Sequence, residues 1–139
     1  MPSPVPRFTD NGNGTVRDNL TGLIWLKQAN CFGFQMWQNA LHAANALAHG
    51  NCGLLDGSAA GDWRLPNIKE LQSLIDVGQV NPALPPGHPF SNVLLTEYWS
   101  SSTFAASPDS AWVVNVSVAL TGANAKGLSG PVWPVRGGQ

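Results

Sequence analysis

Charge is scarce in this chain, and nowhere does it gather. Seven Lys and Arg stand against eight Asp and Glu over 139 residues, a formal net charge of −1. The basic residues Arg7, Arg17, Lys27, Arg64, Lys69, Lys126 and Arg136 are scattered singly. A nucleic-acid backbone is held by cations that neutralise successive phosphates, so no nucleic-acid partner is expected. Long apolar runs are missing too. No stretch approaches the ~20 residues that cross a bilayer, which predicts no membrane insertion. The start, MPSPVPRFTD, has neither the charged end nor the apolar core of a signal peptide. The sequence therefore reads either as cytoplasmic or as a piece of a longer exported chain.

Cysteine is nearly absent as well. Cys31 and Cys52 lie in the loop-like phrases NCFG and GNCGLLDG on either side of a helical stretch. A bridge between them would close a loop of about 20 residues and stabilise the fold by about 3 kcal/mol. Two free thiols are the alternative. A zinc site would need further ligands, and no His stands at a suitable spacing. The bridge, and with it an oxidising compartment and a secreted or cell-surface location, is the expectation. Catalytic signatures are equally thin. His42, His49 and His88 have no His partner at ligand spacing, and there is no Gly-x-Ser-x-Gly elbow, so an enzyme is not expected.

What the chain does have is tryptophan, glycine and proline. Four of its six tryptophans stand in short phrases: GLIWLK (22–27), GDWRLPN (61–67), EYWSSST (97–103) and SGPVWPVRGG (129–138). Large aromatics at spaced positions pin short strands and loops to one another. Fifteen Gly and 11 Pro place much of the backbone in turns and shaped loops. A chain of this length makes one domain, 1–139, that buries roughly two thirds of its unfolded surface.

Asn11-Gly12 and Asn13-Gly14 are turn dipeptides between apolar runs, which predicts a hairpin within 7–27. Trp37, Leu41, Ala44 and Ala48 recur at helical spacing, which predicts a helix from Gln35 to His49 with Gly50 at its C-terminus. A second helix starts at Asn67, a cap that Glu70 reciprocates, and carries the stripe Ile68, Leu71, Leu74 and Ile75. Residues 78–95 form a proline-punctuated loop. Strands follow at 98–103, at 111–118 with Trp112, Val114 and Val116 on one face, and at 132–136. This order is α+β.

Several residues suggest sites. Asp10, Asn13 and Asp18 put oxygen ligands on a Gly-bent loop, the raw material of a calcium site; the same side chains make Asx turns with their own backbone. Trp25, Trp63, Trp112 and Trp133 read as core. Tyr98 and Trp99 beside Ser100, Ser101 and Ser102 present an aromatic that stacks on a sugar face while hydroxyls bond its edge, or else an aromatic that packs. Arg64 and Arg136 are expected to pair with Asp62, Glu70 or Asp76. The contact loops are placed at 78–97, 103–111 and 119–130, and the ligand-contact residues are Tyr98, Trp99, Ser101 and Lys126.

Taken in order, DNGNGTVRDNLTGLIW, the Trp-bearing helix with its Ala-Asn-Ala-Leu-Ala stretch, GDWRLPNIKELQSLID, YWSSST, AW and the closing VRGG resemble the Lcl C-terminal domain family over about residues 7–138. That family is named for the C-terminal domain of the Legionella collagen-like adhesin. The resemblance implies a C-type-lectin-like fold of the formylglycine-generating-enzyme type, with two helices on a small twisted antiparallel sheet and long loops that carry binding. It implies an adhesin-type module of a bacterial surface or secreted protein that recognises a glycan or protein surface ligand. A structural module that trimerises or caps a longer surface or fibre protein, and an enzyme of the formylglycine-generating type, are the other readings. The adhesin's own domain is a homotrimer that binds sulfated glycosaminoglycans. Here the acidic residues outnumber the basic ones, so such binding requires assembly to gather Arg17, Lys126 or Arg136 into one patch. Lectins of this fold that coordinate sugar through calcium pair Glu-Pro-Asn or Gln-Pro-Asp with Trp-Asn-Asp. This chain has Leu65-Pro66-Asn67 and no Trp-Asn-Asp.

Overall fold

Strands β1 (Phe8–Asp10) and β2 (Thr15–Asp18) are joined by the Asn-Gly-Asn-Gly turn, where Gly12 and Gly14 both take positive φ. A Cβ at Gly14 would stand 2.5 Å from the Gly53 carbonyl oxygen, so this glycine is required by close approach as well as by conformation. The computed structural model describes residues 6–137. The hairpin continues into β3 (Ile24–Leu26), and β9 (Val135–Arg136) from the far end of the chain completes a four-stranded antiparallel sheet in the order β1-β2-β3-β9.

A two-residue strand, β4 (Gln35–Met36), pairs with β8 (Ser129–Gly130) and leads into α1 (Trp37–Ala46). The helix is shorter at both ends than its periodicity predicts. Gln35 and Met36 are drawn into the ribbon with β8, and Leu47 takes an extended conformation that buries its side chain. Helix α2 (Ile68–Ser73) begins as predicted. The Asn67 side chain accepts the Glu70 N–H at 2.8 Å, and Glu70 accepts the Asn67 N–H at 2.9 Å. Its apolar stripe runs on past the helix, where Leu74 is fully buried.

The third sheet, in the order β5-β6-β7, is antiparallel: β5 (Glu97–Thr103), β6 (Ser110–Asn115) and β7 (Leu120–Ala125). Strand β7 lies inside the stretch 119–130 that reads as a contact loop, and the expected strand to Val118 stops at Asn115 in a turn through Ala119, whose φ is +64°. Strands β5 and β6 carry buried residues on both faces, whereas β7 is exposed or half-buried along its length. Ala111 and Val113 join Trp99, Leu65 and Val132 against α1, while Val114 and Val116 join Tyr98, Leu71 of α2 and Leu74 just past it in the larger core. Period-two alternation explains why adjacent residues are buried in different clusters. Trp112 lies one step beyond Val114, opposite the small Ala123, and is half-buried with Phe104 edge-on at 4.7 Å rather than in the core.

Trp133 is the hub of the larger core, with its ring 5.8 Å from Trp25, 4.9 Å from Phe90 and 5.2 Å from Tyr98. Phe90 brings the proline-rich loop with it, and Asn81 and Ala83 donate backbone N–H groups to Ser117 and Val116. That long segment is therefore a packed loop. The fold class is α+β, as read from the sequence.

A candidate binding groove between α1 and β5

The two aromatics expected to meet a ligand are inside. Tyr98 and Trp99 are 0% and 1% exposed because β5 is covered on both faces. The Tyr98 hydroxyl donates to the Ala29 carbonyl at 3.0 Å and accepts the Leu94 N–H at 2.9 Å. Burial pushes its pKa up to about 12, against the smaller lowering effect of the Leu94 N–H. Trp99 Nε1 donates to the Gln35 carbonyl at 2.8 Å, and its ring lies so close to Gly130 that a Cβ there would stand 3.0 Å from Nε1. Both residues pack, and neither can stack on a sugar.

The other two expected contact residues reach the surface. Lys126 places its ammonium 4.1 Å over the Trp37 ring and donates to Thr103 Oγ1 at 3.0 Å. Ser101 donates its backbone N–H to Pro66, and its hydroxyl has no partner among the described residues. It opens into a groove of about 480 Å³ whose walls come from three distant segments. Leu41, His42 and Asn45 come from α1, Arg64, Leu65 and Asn67 from the lead-in to α2, and Ser101 from β5.

Leu65 and Leu41 supply an apolar floor. His42, Asn45 and Asn67 are exposed on the rim, where His42 and Asn45 side chains have no hydrogen-bond partner among the described residues. Asn67 has committed its carbonyl oxygen to the α2 cap and keeps its amide donors free. The cation is neutralised. Both Arg64 terminal nitrogens bond Glu70 at 2.6 and 2.7 Å, and one also bonds the Gly137 carbonyl at 2.7 Å. Burial by itself would raise the Glu70 carboxyl. The Arg64 hydrogen bonds and the Asn67 N–H outweigh it and hold the pKa below its ordinary value. Arg64 thus pairs with Glu70, one of the three partners expected of it, and the groove is uncharged.

A wider depression of about 790 Å³ beside the proline-rich loop is larger but has its polar groups spoken for. Its Arg7 bonds Asp18 through two nitrogens at 2.8 and 2.9 Å and also the Ser73 carbonyl, and its Asp76 accepts the Gly78 N–H.

The proposed calcium ligands do not converge. Asp10 accepts the Gly12 N–H and is bridged by Lys27 at 2.7 Å, Asn13 accepts from the Thr15 N–H and hydroxyl, and the fully buried Asp18 is held by Arg7. These are Asx turns and ion pairs, which consume the oxygens a cation would need. A single copy does not itself bring Arg17, Lys126 and Arg136 into one patch, a role the sequence leaves to assembly. Arg17 and Arg136 flank Ile24 across the four-stranded sheet, with Arg136 bonded to Asp56 at 3.1 Å, whereas Lys126 is held beside Trp37. Cys31 and Cys52 are bonded, with Cα atoms 5.7 Å apart, as the sequence predicts.

The family model of the Lcl C-terminal domain matches residues 14–136. The chain belongs to the Lcl C-terminal domain family. No curated protein matches it. In this Lcl C-terminal domain the matched span contains every wall of the groove, both cysteines, and β2 to β9, while β1, Asp10 and Arg7 precede it. His42 and Asn45 were missed as site residues because polar residues on a helix read as a solvated face, and nothing in the sequence pairs positions 41–45 with 64–67 and 101.

Proposed function

We propose that this Lcl C-terminal domain is a C-type-lectin-like binding module, secreted or displayed at a cell surface, that recognises a glycan through the α1–β5 groove. The observation that carries this reading is the groove's chemistry: an apolar floor of Leu41 and Leu65 beneath a rim of unengaged imidazole, amide and hydroxyl groups. A pyranose presents C–H patches and hydroxyl edges together, and groups that both donate and accept suit hydroxyls. With Arg64 neutralised by Glu70, the groove favours neutral sugars over sulfated ones. The Cys31–Cys52 bridge supports an oxidising, extracellular setting. The role is binding rather than catalysis, and the pairing of both cysteines leaves no thiol of the formylglycine-generating kind.

The test is a glycan array with neutral and sulfated glycans, run in calcium and again in chelator. Neutral glycans are expected to bind equally in both buffers. The double substitution His42→Ala with Asn45→Ala should weaken binding about tenfold, since each neutral hydrogen bond contributes about 0.5–1.5 kcal/mol. Binding confined to sulfated glycans and lost steeply with salt, or a blank array from folded protein, would refute the reading.

A further inference from the structure

Strand β7 is the edge of its sheet, and nothing among the described residues guards it. Natural edge strands carry charges, prolines or bulges that prevent pairing with another chain. The sequence of β7, Leu-Thr-Gly-Ala-Asn-Ala, has none of these, and all six residues are exposed or partly exposed. Its register fixes which backbone groups are free. Lys126 donates its N–H to Asp109 across the β6–β7 ladder, so the hydrogen-bonded pairs are 126/109, 124/111, 122/113 and 120/115. Thr121, Ala123 and Ala125 therefore turn their N–H and C=O groups outward. Only the Ala125 carbonyl is used, by the Leu128 N–H at 2.9 Å. Among the described residues no strand pairs with this edge.

We infer that β7 pairs antiparallel with β7 of a second copy of this chain, joining two three-stranded sheets into one of six strands. The edge is complementary to itself. A two-fold axis through Ala123 sets Thr121 opposite the partner's Ala125 and Ala123 opposite its own equivalent, so that every outward-facing residue meets an outward-facing one. Two exposed aliphatics, Val118 and Leu128, 44% and 55% open, stand five residues to either side of Ala123 in the turns that flank the strand. No charge lies within the paired segment to oppose contact of identical strands. Six residues span about 20 Å, and an interface of that length falls below the ~1,200 Å² of a stable complex. The dimer is accordingly weak and concentration-dependent.

The two-fold of an antiparallel pair stands perpendicular to the sheet. Both α1 helices consequently lie on one side of it, and both grooves address the same surface. If the grooves bind glycan as proposed, the dimer is bivalent, and engagement of a surface bearing many ligands gains about 10²–10⁴ over a single site. That gain rests on the glycan reading; the pairing itself does not.

Sedimentation equilibrium from about 10 µM to about 1 mM should show a monomer–dimer equilibrium. Amides 121, 123 and 125 should exchange at least tenfold more slowly at the top of that range. Ala123→Lys places like charges at the axis, and Ala123→Pro removes an outward N–H without touching the β6 ladder. Each should weaken association at least tenfold, while Gln38→Lys on the exposed face of α1 leaves it unchanged. Near-ultraviolet circular dichroism and thermal midpoints report whether the variants remain folded, and the wild-type exchange data stand without them. A monomer throughout the range, a trimer, or association that survives both substitutions in folded protein would overturn the pairing. Monovalent glycan affinity, measured on the Ala123→Lys variant, is independent of these outcomes and separates failure of the groove from failure of the edge.

Discussion

Tyr98 is the only tyrosine in the chain, so its ionisation can be followed without interference. Burial raises its pKa from 10.0 to about 12, which means that the fold favours the neutral phenol. The contribution is complete below pH 10.0 and is lost as the pH rises toward about 12. Tyrosinate absorbance should stay flat past pH 10.0 and rise only near about 12; a midpoint at the ordinary value in folded protein would place the phenol in water. At the other end of the charge scale, Arg7 is the partner of the fully buried Asp18. Arg7→Ala leaves that carboxylate buried and uncompensated, and should lower the unfolding free energy by about 3 kcal/mol or more in a denaturant titration. Ala119 holds φ +64° without being glycine. Ala119→Gly should therefore stabilise the domain by about 1 kcal/mol, since a left-handed conformation is strained for L residues.

Helix α2 has only six residues, and its cap and its ion pair share one carboxylate. Glu70 and Asp56 are both held below their ordinary values of 4.5 and 3.8. In each case burial acts upward and is outweighed, for Glu70 by Arg64 and the Asn67 N–H, and for Asp56 by Ser58 and Arg136. Their stabilisation is present above those values and is lost as the pH falls through the folded ones. Melting curves should show the midpoint falling below pH 4.5, and less steeply in Glu70→Gln. The α2 cap was legible because its partners lie three residues apart, and the first hairpin because its glycines stand in the turn. Strand β7 was not, because Gly, Ala and Asn are poor strand formers; its strand state comes from pairing with β6. Trp99 and Trp112 show the same limit. Both lie in strand-like phrases, and only the tertiary packing decides that Trp99 is sealed under α1 while Trp112, opposite the small Ala123 of the exposed β7, is half-open.

At the scale of the molecule, one bridge and one seam hold distant parts together. The Cys31–Cys52 bridge spans 21 residues of sequence, and its reduction should cost about 3 kcal/mol, or roughly 10 °C of melting temperature. Chelator should leave that temperature unchanged, since Asp10 and Asp18 are committed to Lys27 and Arg7; a chelator-sensitive melt would reopen the calcium reading. The α+β class and the bridge were visible in the sequence. The groove was not, because its walls meet only once 41–45, 64–67 and 101 have been folded together.

The seam is the pairing of β3 with β9, which places Trp133 at the centre of the larger core. During synthesis, a nascent chain that has released its first hundred residues from the ribosome still lacks the aromatic on which Trp25, Phe90 and Tyr98 converge. The core can close only after residue 136 has emerged. Folding of this domain therefore waits for residue 136 and does not proceed segment by segment as the chain emerges.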